Sequence, residues 1–389
     1  MNGDPNFRDQ VTESAEVLER NALTSTLNSF LVYGKAAHAN LTRPRFKAFY
    51  SLSPAHQGLL QPSYTEHLDQ IDKAIDSNAS FLRLVAQYGA NEFEAPQDMR
   101  EWEGATAFQV DQTRSTIKQI YRDWSSEAAS ERDICYGRVI RALNNIYDPG
   151  NRASTKVLIP GAGLGRLAYD VACEGYVSQG NEFSYHMLIV SNFILNLTTK
   201  VDEFAIYPFI HTFSHTSTAS NQVRQVTIPD RCPSTSGSET GGNFSFTAGS
   251  FTDIYGRPDA GPEDKWDAIL TVFFLDTAHN VLDYIDVIRR TLKDVSSSDE
   301  DVYWINFGPL LYHFEDEQNL SDIGGAANQD KLSIELPLDI LVSMVERCGF
   351  SVEVLETGIT STYAADEKAM GKWVFESVFW VARKLPAVA

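Results

Sequence analysis

The chain has 389 residues, 43% of them hydrophobic, with 52 Asp and Glu against 32 Lys and Arg and a formal net charge of −20. That length suits one large α/β domain with an appended helical region, and the hydrophobic share can fill its core. So acidic a chain argues against nucleic acid as partner, because phosphate-binding surfaces need Lys and Arg. The longest apolar runs, such as Ala268 to Leu275, are strand-sized and far short of the roughly 20 residues of a membrane span. Met1 to Glu19 lacks the apolar stretch of a secretion signal, so no membrane or secretory association is expected. Cys135, Cys173, Cys232 and Cys348 form no Cys-x-x-Cys pair, which speaks against a bound metal and for reduced thiols in the cytoplasm or nucleus.

Residues 1–22 read as a flexible arm, and 23–150 as an all-α region. Apolar positions recur at helical spacing in Val17 to Leu31, Leu68 to Tyr88 and Ser115 to Trp124. The turn signal Asp148-Pro149-Gly150 then opens a domain over 151–389 in which strands and helices alternate, as in a parallel sheet with crossover helices. Strand one is expected at Lys156 to Ile159, strand two up to about Gln179, and a helix over His186 to Leu197. Arg231 to Asn243, rich in Ser, Gly and Thr, reads as a flexible surface loop. Trp266 to Leu275 is the near-continuous apolar run of a strand buried on both faces. A helix over Ala278 to Lys293, an acidic loop over Ser296 to Asp301 and a strand over Val302 to Phe307 follow. The chain closes with a helix over Leu338 to Cys348 and two strands, Ser351 to Leu355 and Val374 to Arg383, joined too closely to be parallel.

Ligands of open α/β sheets bind beyond the carboxyl ends of the strands. Four stretches qualify. The first is Gly161-Ala162-Gly163-Leu164-Gly165, which follows strand one, and the second is the corner Gly180-Asn181-Glu182. Its alternate glycines make the turn one residue shorter than the Gly-x-Gly-x-x-Gly turn that seats a pyrophosphate, and an acid about 20 residues on suits ribose hydroxyls. S-adenosylmethionine fits that pattern; a tight turn without ligand and a solvated Glu182 are the plainer readings. The third is Phe273-Phe274-Leu275-Asp276, where Asp276 is either a site carboxylate or the N-cap of the next helix. The fourth is Gly308 to His313, where His313 is either a functional residue or a structural histidine buried beside aromatics.

Five blocks in order resemble the carnosine N-methyltransferases. They are Ile159 to Ala168, Gly175-Tyr176 to Glu182, Ser191-Asn192-Phe193-Ile194-Leu195-Asn196, Phe274-Leu275-Asp276-Thr277-Ala278-His279-Asn280 and Gly308 to Phe314. The likeness extends to Lys118-Gln119-Ile120-Tyr121-Arg122-Asp123-Trp124 and Glu131-Arg132-Asp133. It implies a class I methyltransferase fold, a Rossmann-like, mostly parallel seven-stranded sheet with an N-terminal all-α extension. It also implies S-adenosylmethionine as cofactor and an imidazole nitrogen of carnosine as methyl acceptor.

By the same resemblance the cofactor site takes Gln119, Arg122, Gly161, Gly163, Glu182, Ser250, Phe251 and Val272. The acceptor site takes Phe273, Asp276, His313, Tyr363, Trp373 and Phe375. Two departures stand out: Ser250 replaces an acid of the family, and Trp373-Val374-Phe375 replaces tyrosines near Glu376. Loss of those hydroxyls puts carnosine itself in question and admits another histidine-containing dipeptide or peptide. Asp276 is the candidate catalytic residue, orienting the imidazole and stabilising the charge it gains. Histidine in proteins as acceptor, an NAD-dependent oxidoreductase and a non-catalytic cofactor-binding module are the alternatives, and a homodimer is among the expected assemblies.

Overall fold

The computed structural model describes residues 5–233, 243–257, 261, 265–295, 301–315 and 333–386, with side chains from residue 16 onward. Most of the loop read over 231–243 and of the acidic loop over 296–301 lies outside the described residues. The chain forms two compact units, one of Met1–Ala128, Ser184–Thr235 and Ala364–Lys372, the other of Ala129–Phe183, Ser236–Tyr363 and Trp373–Ala389. Among the described residues no helix is long and apolar enough to cross a membrane.

The first unit is helical. It holds α1 (Pro5–Ala37), α2 (Arg43–Tyr50), α3 (Pro54–Leu60), α4 (Ser63–Glu92), α5 (Ala107–Trp124), α9 (Tyr185–Leu197) and α10 (Ala219–Gln222). Two short antiparallel strands, β3 (Phe204–Ile206) and β4 (Val226–Ile228), complete it. On α4 the buried residues Leu68, Ile71, Ile75, Asn78, Leu82 and Val85 recur every three or four positions and so form one face. That face packs on α1 and α9. Helix α5 starts with a capping box, in which the Thr106 hydroxyl accepts the Gln109 N–H and Gln109 Oε1 accepts the Thr106 N–H.

The second unit is built on a sheet. Its helices are α6 (Ala129–Arg132), α7 (Arg138–Ile146), α8 (Arg166–Cys173), α11 (Phe251–Tyr255), α12 (Val281–Thr291) and α13 (Leu338–Arg347). Its strands are β1 (Lys156–Pro160), β2 (Val177–Glu182), β5 (Phe244–Ala248), β6 (Ala268–Val272), β7 (Tyr303–Gly308), β8 (Phe350–Ser361) and β9 (Phe375–Lys384). They lie in the order β5-β2-β1-β6-β7-β9-β8, parallel from β5 to β7, with β9 antiparallel to both its neighbours. This is the class I methyltransferase sheet that the resemblance implies.

Strand alternation splits the core in two. Val157, Ile159, Ala268, Leu270, Ile305 and Phe307 join the cluster that includes residues of α7 and α8. Leu158, Ile269 and Trp304 join the opposite cluster with residues of α12 and α13. Since successive side chains point to opposite faces, strands covered on both sides are largely apolar, which is why β6 reads as a near-continuous run. Its one polar residue, Thr271, is buried and hydrogen-bonded to Asn306 of β7 at 2.8 Å.

The expected strands and helices are present, with shifted ends, and from Pro5 onward the stretch read as a flexible arm over 1–22 belongs to α1. β2 runs on to Glu182, so this acid is the last residue of a strand. β6 stops at Val272, and Leu275–Thr277 forms a single 3₁₀ turn. The helix expected from Ala278 begins only at Val281, because Asn280 is its N-cap and accepts the Leu282 N–H at 3.1 Å. Asp276 therefore does not cap that helix. β8 extends through Ser361 by pairing with β9, with irregularities between Val352 and Val354 and between Glu356 and Ile359.

Candidate active site

The glycine turn leaves β1 at Pro160. Gly161, Gly163 and Gly165 have φ of 64°, 54° and 78°, the left-handed region that favours glycine. At Gly161 a side chain is excluded twice over, since a Cβ there would lie 2.5 Å from Cδ2 of Phe274. The turn is fixed from the neighbouring strand, because the Ala162 N–H donates to the Asn181 carbonyl at 2.9 Å. Glu182, at the end of β2, uses both carboxylate oxygens on backbone amides: Oε2 accepts the Gly163 N–H and Oε1 the Phe183 N–H, each at 2.9 Å. The acid and the turn thus form one rigid corner.

Phe274 connects this corner with the next strand end. Its ring lies under Gly161, edge-on to the buried Phe251 at 5.5 Å and stacked on Tyr284 at 4.6 Å. Tyr284 lies close enough to Glu182 for the carboxylate charge to raise its phenol pKa, an effect smaller than that of burial. Ser250, just before α11, shares a 3.0 Å hydrogen bond with the Thr252 hydroxyl. Val272 is buried at the end of β6.

One residue before Phe274 the backbone is strained. Phe273 has φ of 53°, which costs a side-chain-bearing residue about 1–2 kcal/mol. Its N–H still donates to the Phe307 carbonyl at 2.9 Å, so β7 holds it at this bend. Its ring is 5.0 Å from Tyr363 and 6.3 Å from Phe375, and the three make an aromatic wall.

Asp276 follows, in the 3₁₀ turn. Only 3% of it is exposed, and its Oδ2 accepts the Leu311 N–H at 3.1 Å. Its own carbonyl accepts the His313 N–H at 3.0 Å, which ties the loop after β7 to the loop after β6. Burial pushes the Asp276 carboxyl up to about 6, against the opposing effects of the Leu311 amide and of His313. A buried carboxyl poised near neutrality at a strand end has the character of a functional group.

The sheet unit brings together Gly161, Gly163, Glu182, Phe251 and Val272 near one corner, and Phe273, Asp276, His313, Tyr363 and Phe375 near the next. His313 is exposed, so it is not the buried structural histidine that aromatic neighbours suggest. Trp373 is 74% exposed. Gln119 and Arg122 belong to the helical unit, on α5, where the buried Arg122 forms a 2.9 Å ion pair with Asp123. Sequence reasoning misses Tyr284, which looks like one more apolar position of α12, and the Leu311 amide, because any residue can supply a backbone donor.

The sheet and its corner define a class I methyltransferase. The profile of the carnosine N-methyltransferase family matches residues 99–386. The chain is 39% identical to the carnosine N-methyltransferase of Mus musculus over 381 residues, 96% of this chain and 88% of that one. It is 37% identical to the enzyme of the same name from Schizosaccharomyces pombe, over 94% of this chain and 96% of the other. The protein therefore belongs to the carnosine N-methyltransferase family. Among solved structures, the magnesium protoporphyrin IX methyltransferase of Synechocystis PCC 6803 with bound SAH is 14% identical and covers 72% of this chain and 90% of its own, with a TM-score of 0.33. A likeness that weak adds nothing to the assignment.

Proposed function

We propose that the protein transfers a methyl group from S-adenosylmethionine to an imidazole nitrogen of the histidine in carnosine or a closely related histidine-containing dipeptide. The observation that carries this reading is the buried Asp276 carboxyl, held by the Leu311 amide at the end of a central strand, three residues from the strained Phe273 and its aromatic neighbours.

The corner fits the cofactor. Glu182 is a rigidly held acceptor suited to ribose hydroxyls, and the side-chain-free Gly161 and Gly163 admit close backbone approach. The turn is one residue too short for the usual pyrophosphate seat, which disfavours a dinucleotide. Phe251 would line the adenine end. When bound, S-adenosylmethionine supplies a methyl group on a positively charged sulfur.

The residues around Asp276 would prepare the acceptor. Imidazole, with a reference pKa of about 6.5, is mostly neutral near pH 7, so no base has to deprotonate it. Asp276 accepts the N–H of one ring nitrogen and thereby selects the tautomer whose other nitrogen carries a free lone pair. As the ring becomes an imidazolium, the fixed carboxylate stabilises the new charge. Phe273, Tyr363 and Phe375 would hold the ring by its faces. Trp373 and Phe375, where the family has tyrosines, offer no hydroxyl to the polar end of a dipeptide, which favours tolerance among acceptors.

The test uses ¹³C-methyl-labelled S-adenosylmethionine and a panel of carnosine, other histidine dipeptides, free histidine and histidine-containing peptides. Label on an imidazole nitrogen, with a dipeptide preferred, is the expected product; label on no imidazole would overturn the reading.

A further inference from the structure

The hydrogen bond that Asp276 receives comes from a backbone amide, so its quality depends on what holds the loop Pro309–Glu315. One side of that loop is tied to the Leu275–Asn280 stretch. Leu311 N–H reaches the Asp276 carboxylate at 3.1 Å, His313 N–H reaches the Asp276 carbonyl at 3.0 Å, and the Phe314 ring stacks on His279 at 3.5 Å. The other side is tied to the Ser333–Leu336 segment, where the Ser333 hydroxyl donates to the Phe314 carbonyl at 3.3 Å and Tyr312 makes two bonds. The Tyr312 hydroxyl donates to the Leu336 carbonyl at 2.7 Å and accepts the Leu336 N–H at 3.1 Å. The Leu336 segment is in turn anchored to the first stretch, since the Ile334 N–H donates to the His279 carbonyl at 2.9 Å and Asn280 bridges to Ile334. Three pieces of chain thus form a closed ring of contacts, and Tyr312 joins the piece that carries the Leu311 amide to the piece that braces it.

We propose that Tyr312 is a positioning residue that holds the Leu311 amide on Asp276 and so keeps the carboxylate oriented and charged for the acceptor. The argument rests on the methyl-transfer reading for its consequence in turnover, but not for its effect on the carboxyl itself. An N–H donated to a carboxylate stabilises the charged form, so a looser loop makes Asp276 hold its proton more tightly. The other groups that act on Asp276 and Tyr312 are His313, which favours the ionised carboxyl, and Glu335, which with Asp276 disfavours ionisation of the phenol. None of these is removed when Tyr312 loses only its hydroxyl. The half-buried Tyr312 phenol both gives and takes a backbone hydrogen bond, which Phe could not do.

The experiment titrates Asp276 directly, by ¹³C NMR of carboxyl-labelled aspartate assigned with Asp276→Asn, in wild type and in Tyr312→Phe. Partial loss of a hydrogen bond to the charged carboxyl should raise the Asp276 midpoint by roughly half to one pH unit. Exchange of the Leu311 amide should become at least about tenfold faster, and the acid limb of kcat/KM for the acceptor should move up by the same amount as the carboxyl. Tyr312→His, which keeps a ring and an N–H donor, should fall between the two and serves in place of Tyr312→Phe if that variant does not fold. An unchanged Asp276 midpoint and Leu311 exchange rate in a folded variant would overturn the proposal whether or not the protein methylates imidazole. Conversely, a shifted midpoint in a protein that methylates no imidazole would leave the positioning role standing and remove only the reading of the reaction.

Discussion

At Asp276 the proposed role and stability oppose each other. The carboxyl binds its proton more tightly when folded, at about 6, than in an unfolded chain, where 3.8 is the ordinary value. Folding stability therefore falls as pH rises between these two values and stays reduced above them, whereas below about pH 4 the carboxyl is protonated in both states and the penalty vanishes. At 1.36 kcal/mol per pH unit the penalty at neutral pH is on the order of 3 kcal/mol. Asp276→Asn keeps the shape and an acceptor for the Leu311 N–H but carries no charge. Thermal unfolding should show this variant melting several degrees above wild type at pH 7.5 and level with it near pH 4. A variant less stable than wild type at pH 7.5 would mean that the ionised carboxylate is well compensated and that burial is not what shifts it.

At the scale of elements, the glycine turn between β1 and α8 depends on shape more than on charge. Gly161→Ala places a methyl group 2.5 Å from the Phe274 ring in a left-handed backbone. Each of these effects costs about 1–3 kcal/mol, and Phe274 can yield only by disturbing Phe251 and Tyr284. Calorimetric titration should find S-adenosylmethionine binding weakened by tenfold or more, and an unchanged affinity would remove the turn from the cofactor site. This turn is legible in the sequence because glycine alone adopts the left-handed region freely, and β6 is legible because two-sided burial favours a near-continuous apolar run. The start of α12 is less so. Asp276 and Asn280 are equally good caps on paper, and only the 3₁₀ turn at Leu275–Thr277 decides for Asn280. Backbone donors such as the Leu311 amide leave no trace in residue type, and the exposure of His313 follows from tertiary placement that neighbouring aromatics do not report.

Across the whole molecule the strand order explains how the corner proposed for the cofactor and the carboxylate proposed for the acceptor come to be neighbours. β2, β1, β6 and β7 are consecutive in the sheet, so the loops after them share one edge, and Phe274 packs beneath Gly161 while Phe273 and Asp276 follow at the next strand end. The two proposed functions rest on different residues, and should be separable by mutation. The most direct test is the rate of ¹³C-methyl transfer to carnosine by Asp276→Ala at saturating S-adenosylmethionine, with cofactor affinity measured on the same sample. If Asp276 orients the imidazole and stabilises its charge as proposed, its removal should slow transfer by about 10³-fold while cofactor affinity stays within a few-fold of wild type. Transfer within a few-fold of wild type would contradict the role given to Asp276 and, with it, the mechanism proposed for this site.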